Sequence, residues 1–155
     1  MTWITMTTAV LLSPIAIGST SAAEPPGTYV DAVLATGGKQ CEAVDVPVTA
    51  APPATLTIPA DAVELECTSS IRYTFDSDAE LTFDDAAGTA SAASIRIVGT
   101  WFGVSCTYEA TDLSLERQGD TREYLGGPYT AGKASGMFLC PRDVKLDSAA
   151  ITFHQ

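Results

Sequence analysis

The chain has little of what most protein chemistry uses. Its 155 residues include one histidine (His154), three lysines and no asparagine. Charged residues make up 17% of the chain, where about a quarter is usual. Acids outnumber bases 19 to 8, for a net charge of −11. A nucleic-acid binder neutralises phosphates with Lys and Arg, so no nucleic-acid partner is expected. The same deficit disfavours electrostatic docking on an anionic membrane. One histidine removes most His-based catalysis and most zinc sites. It stands next to last in the sequence and is expected to be a solvated, frayed end. Apolar content of 46% is too high for a disordered, charge-rich tail, and the length fits one domain.

The first 23 residues carry no charge. Ile4 through Ile17 is largely apolar, and Ser19-Thr20-Ser21-Ala22-Ala23 follows it. Small residues at Ser21 and Ala23 suit signal peptidase, so residues 1–23 read as a signal peptide cut after Ala23, and the protein as extracellular. The run is short and Ser/Thr-rich for a bilayer span, so no membrane attachment is expected after cleavage. All the charge then falls on residues 24–155, which read as one domain behind a loose, Pro-punctuated leader at 24–28. Cys41, Cys67, Cys106 and Cys140 also lie there, without CxxC spacing. In an exported chain they read as two disulfides. The sequential pairing, Cys41–Cys67 and Cys106–Cys140, is expected because each bond then closes a loop within one half of the chain. Each bond would remove roughly 3–4 kcal/mol of unfolded-chain entropy, against a typical domain stability of about 5–15 kcal/mol.

Alternation at period 2 runs through the mature chain. Tyr29–Leu34 predicts a first strand, closed by Gly37-Gly38. Val44–Val48 contains Pro47 and is expected at an edge or irregular. Thr55–Ile58, Val63–Cys67, Ile71–Phe75, Leu81–Phe83, Ser94–Thr100, Val104–Tyr108, Leu113–Leu115, Thr121–Leu125, Met137–Cys140 and Ala150–Phe153 follow as strands. Turn residues separate them at Asp76–Asp78, Asp84–Gly88, Trp101–Gly103 and Arg117–Asp120. No window keeps apolar residues at helical spacing for three turns. Short strands with regular turn signals predict an all-β domain, a two-sheet β-sandwich or a barrel-like relative, with two packed sheets the preferred form.

Leu65-Glu66-Cys67-Thr68-Ser69-Ser70, Gly103-Val104-Ser105-Cys106-Thr107-Tyr108-Glu109-Ala110 and the later Leu139-Cys140-Pro141 together resemble uncharacterised secreted all-β proteins of high-GC actinobacteria. The resemblance covers roughly residues 55–153 and implies a secreted, disulfide-bonded β domain, with no activity to carry over. Val98-Gly99-Thr100-Trp101-Phe102-Gly103 is also similar to a hairpin of secreted subtilisin inhibitors. Their Pro/Gly-rich reactive region beside a cysteine has no counterpart here.

No catalytic constellation stands out, and no cofactor or metal is expected. Asp76, Asp78, Glu80, Asp84 and Asp85 form the densest acidic cluster, and Asp76-x-Asp78-x-Glu80 resembles a calcium loop. Leu81 stands where such a loop needs Gly, and Ala87 where it needs a bidentate Glu, so two solvated turns are the preferred reading. Thr36-Gly37-Gly38-Lys39 lacks the leading glycine and following helix of a phosphate loop. Trp101 is expected to continue the Ile95/Ile97 face into the core. The alternative makes Trp101 and Phe102 an exposed aromatic platform for a ligand or partner. The function expected is a secreted, non-catalytic binding or matrix module with an unidentified extracellular ligand or protein partner. The alternatives are an inhibitor of secreted hydrolases and a small carboxylate-based hydrolase.

Overall fold

Alternating sequences form twelve strands in the computed structural model, which describes residues 28–154. The expected signal peptide and all of the leader but Thr28 lie outside the described residues. The strands are β1 (Thr28–Thr36), β2 (Lys39–Val48), β3 (Leu56–Ile58), β4 (Glu64–Cys67), β5 (Arg72–Phe75), β6 (Ala79–Asp84), β7 (Thr89–Trp101), β8 (Val104–Arg117), β9 (Glu123–Gly126), β10 (Tyr129–Gly136), β11 (Asp143–Leu146) and β12 (Ser148–His154). A single 3-10 turn, Ala60–Ala62, separates β3 from β4.

The strands do not make two packed sheets. They run β8-β9-β12-β1-β2-β4-β5-β7, and β7 then pairs with β8, so eight strands close into a barrel. Local alternation is the same for a sandwich and a barrel, because both bury one face of each strand. The difference lies in which edges meet. Here the long β7–β8 ribbon joins the two ends of the sheet, with a ladder running from Thr89 opposite Glu116 to Trp101 opposite Val104.

Four further strands fill gaps around this ring. β5 pairs with the upper part of β7 (Ile97–Thr100), and β6 takes the same edge lower down (Thr89–Ser91), carrying β3 with it. β10 pairs with Cys106–Glu109 of β8, while β9 takes Glu116 and Arg117. β11 pairs with β10, and just beyond it the Asp147 N–H donates to the Ala35 carbonyl at 2.8 Å, which ties this flap to the end of β1.

The inward faces supply a continuous apolar core. Val30, Leu34, Val46, Leu65, Ile97, Leu113, Leu115 and Ile151 are buried in it. Phe83, Tyr124 and Phe153 meet edge to face with centroids 5.2–6.1 Å apart. An eight-stranded barrel is just wide enough for side chains to fill, and a residual cavity of about 90 Å³ remains, lined by side chains such as Val30, Leu65, Ile97 and Leu113. Two disulfides staple the wall: Cys41–Cys67 joins facing residues of β2 and β4, and Cys106–Cys140 ties β8 to the loop after β10.

One expected strand is absent and one unexpected strand is present. Met137–Cys140 is a tight turn, with the Cys140 N–H donating to the Met137 carbonyl at 3.0 Å. Its apolar residues belong to the surface, so composition alone misassigned them. In their place β10, rich in Ala, Gly and Ser, forms a strand that buries only Ala131.

Leu65 is 3% exposed and borders the cavity, so truncating it enlarges an existing void. Leu65→Ala is expected to cost about 3–5 kcal/mol, read from the urea midpoint of the oxidised protein.

Candidate functional site

Strand polarity places the Gly37-Gly38 turn, the Thr68–Ser70 loop, the β7–β8 hairpin tip and the loop after β10 at one end of the barrel. At that end β7 and β8 outrun the wall. Trp101 does keep the phase of Ile95, Ile97 and Gly99, but it lies beyond the rim and is 54% exposed. The expectation of a core Trp101 is therefore corrected: periodicity assigns a face, and only the position of the rim decides burial.

Trp101 pairs with Val104 across a two-residue turn, Phe102-Gly103. Both turn residues have positive φ, 45° and 78°, as a type I′ hairpin requires. Gly suits that conformation, and Asn would suit the first position. A phenylalanine there costs roughly 1–2 kcal/mol through crowding of its Cβ. Phe102 is 81% exposed, and its ring lies 5.1 Å from that of Trp101.

The neighbouring turn presents Met137, Phe138 and Leu139, exposed by 54%, 87% and 61%. The Cys106–Cys140 disulfide and the pairing of Gly136 with Cys106 fix this turn beside the hairpin. Gly136 has a φ of 126° and its α-carbon packs against the disulfide: a Cβ there would stand 2.6 Å from Cys140 Sγ. Neither Gly99–Thr107 nor Ala134–Pro141 contains a charged residue, in a chain of net charge −11.

A groove of about 310 Å³ runs along the base of this tip, lined by Ile71, Tyr73, Trp101, Tyr108, Leu139 and Val144 among others. Tyr73 lies across Gly99, where a Cβ would approach its ring to 2.8 Å. Burial raises the pKa of both Tyr73 and Tyr108 above the ordinary tyrosine value, and that of Tyr73 is raised further by the nearby Tyr108.

The five acidic candidates do not converge. Asp76 pairs with Arg96 at 3.2 Å and Asp85 with Arg117 at 2.8 Å. Asp78 accepts the Ala60 N–H at 2.8 Å, and Asp84 accepts the Ala87 N–H at 2.9 Å, each bracing a turn. Glu80 points outward from β6. Asp78, Glu80 and Asp112 line an open polar hollow with Ser91 and Ser94, but all three acids are exposed. Nothing there excludes water from a general acid, as carboxylate-based hydrolysis requires.

His154 is not a frayed end. It is the last residue of β12, pairs with Tyr29 of β1, and stacks on the Tyr29 ring at 6.0 Å. Its Nε2 lies 3.1 Å from Asp31 Oδ1 and 3.5 Å from Asp45 Oδ1. The signal for this was present in the alternation of Ile151, Phe153 and the residues between them, which continues to His154. The pairing of first and last strands that brings Asp31 there was not legible.

Both buried tyrosines have folded-state pKa values above the ordinary 10.0. The stability this burial contributes is fully present below pH 10 and is lost as pH rises through the folded values, because the unfolded chain releases its protons first. Urea midpoints are thus expected to hold level up to about pH 10 and to fall above it, with a shallower fall in Tyr73→Phe.

No helix among the described residues is long and apolar enough to cross a membrane. The chain matches no family model, no curated protein and no solved structure.

Proposed function

We propose that the protein is an extracellular, non-catalytic binding module that docks an apolar anchor of a partner protein on its barrel tip. The carrying observation is the apolar tip: Trp101, Phe102, Met137, Phe138 and Leu139 exposed together on two charge-free loops. Scattered exposed apolar residues need no explanation, whereas a contiguous group marks an interaction surface. The groove at its base is large enough for one aromatic or aliphatic side chain, the usual arrangement of a binding hot spot. Backbone strain at Phe102 adds to this, since such strain persists where function holds it.

The uncharged first 23 residues and the two disulfides, which persist in oxidising compartments, support the extracellular part of the reading. The likeness of the cysteine segments to secreted actinobacterial β proteins points the same way. An inhibitor of secreted proteases would offer an extended segment to the enzyme's cleft. The braced loop here is a closed turn with Phe138 and Leu139 at its corners, which disfavours that alternative.

Phe102→Asn separates folding from binding. It is expected to raise stability by about 1 kcal/mol by relieving the left-handed strain, or about 3–4 °C in melting temperature. Combined with Phe138→Ser, it is expected to lower retention of a culture-fluid partner on the immobilised protein at least tenfold. Equal retention by wild type and the double variant would remove the tip from the function. Stoichiometric inhibition of a secreted protease by the wild type would move the reading to an inhibitor.

A further inference from the structure

We propose that Asp31, Asp45 and His154 bind one divalent transition-metal ion of the zinc–copper class, at the barrel end opposite the apolar tip. The three donors come from three strands, β1, β2 and β12. One ligand atom from each of the three residues lies within 4.8 Å of the other two, and His154 Nε2 stands 3.1 Å from Asp31 Oδ1 and 3.5 Å from Asp45 Oδ1. Donors around one zinc ion, at bond lengths of about 2.0–2.2 Å, stand roughly 3–3.5 Å apart in a tetrahedral site. Small side-chain rotations therefore convert the observed spacing into a ligand set.

The fold positions each donor. Val30 points into the core, so Tyr29 and Asp31 share the outer face of β1. His154 pairs with Tyr29 and stacks on its ring, which restricts the imidazole plane. Between Ala43 and Val46 the register of β2 against β1 shifts by one residue, and Asp45 there has a φ of 55°. This bulge turns Asp45 towards the other two groups, a use to which bulges are commonly put. The Asp45 N–H donates to Asp31 Oδ1 at 2.9 Å, which leaves Asp31 its other oxygen and further lone pairs for an ion.

A simple ion pair accounts for this arrangement less well. Nε2 carries at most one proton, so it donates to one carboxylate and leaves the second facing a like charge. A divalent ion meets all three donors and offsets both negative charges. An imidazole nitrogen with two carboxylates suits zinc or copper, whereas calcium and magnesium take oxygen ligands. Three protein donors leave a fourth tetrahedral position for water.

The test uses the full, tag-free, metal-stripped protein, in which His154 gives the single imidazole signal. Calorimetric titration with zinc chloride is expected to show one ion per chain, with the imidazole resonances moving in proportion to occupancy. Copper(II) is expected to bind more tightly and to broaden the same resonances. His154→Asn should abolish binding, and Asp45→Asn should weaken it at least tenfold while keeping a residue that tolerates the left-handed bulge. Asp143→Asn, on the exposed face of β11 and outside this cluster, should leave it unchanged. Melting curves of the variants, whose substituted side chains are all at least a third exposed, confirm folding. Zinc binding undiminished in His154→Asn, or imidazole resonances unmoved at saturation, would reduce the group to an ion pair and overturn the proposal. So would displacement of zinc by equimolar calcium or magnesium.

Discussion

Backbone pairing between β7 and β8 is the constraint that the other elements depend on. An open sheet ends in two rows of unpaired N–H and C=O groups, and this ladder removes both rows by joining them. It also divides its free edges. One side of β7 serves β5 above and β6 below, and the outer side of β8 serves β10 above and β9 below. Both strands change their buried face between the two halves: Ala90 and Ala92 give way to Ile95 and Ile97, while Leu113 and Leu115 give way to Tyr108 and Ala110. The change falls beside Asp112, whose φ is 54°. A ribbon that switches faces can line the barrel along its whole length while turning different edges to different neighbours.

The same ribbon carries the apolar tip. Phe102 and Gly103 are its turn, so the platform rests on the most extensively paired strands in the molecule. The second loop has no such ladder beyond Gly136 and is held by the Cys106–Cys140 bond. The two loops are thus braced by different means, hydrogen bonding in one and covalent linkage in the other. Such bracing suits the proposed docking role, because ordering mobile side chains and loops subtracts from affinity. The charge distribution serves the same end. Acids on the barrel wall keep a net charge of −11, which disfavours self-association, and the two tip loops contain none.

Local features of the sequence were legible and non-local ones were not. Val63–Cys67 and Ile71–Phe75 alternate cleanly because β4 and β5 have one wet face and one dry face, and they fold as read. The sequential cysteine pairing followed from loop closure and is the one in the structure. Barrel closure left no local mark, since the inward residues of β7 would alternate equally well in a sandwich. β10 was missed because its outer position asks for one buried residue, Ala131, and small residues satisfy the rest. The acidic run from Asp76 to Asp85 drew attention by density, yet its members serve separate turns and ion pairs. The group that converges, Asp31, Asp45 and His154, is spread across almost the entire described chain, and chain distance hid it.

Phe102 and His154 are each ordinary by composition and anomalous by position. A hairpin selected for stability alone would carry Asn-Gly at its tip. Phe102 forgoes that and gains no burial in return, which accords with the proposed docking of a partner over its ring. His154 closes the last strand, where a hydrophobic or neutral residue would pair equally well with Tyr29. Instead two carboxylates meet it, one of them delivered by a bulge that departs from the regular ladder. Departures from local preference that the fold does not repay are the places to seek function, and here they fall at opposite ends of the barrel. At one end two loops are apolar and uncharged, and the other end gathers nitrogen and oxygen donors. If both proposals hold, one barrel wall carries two separate recognition sites.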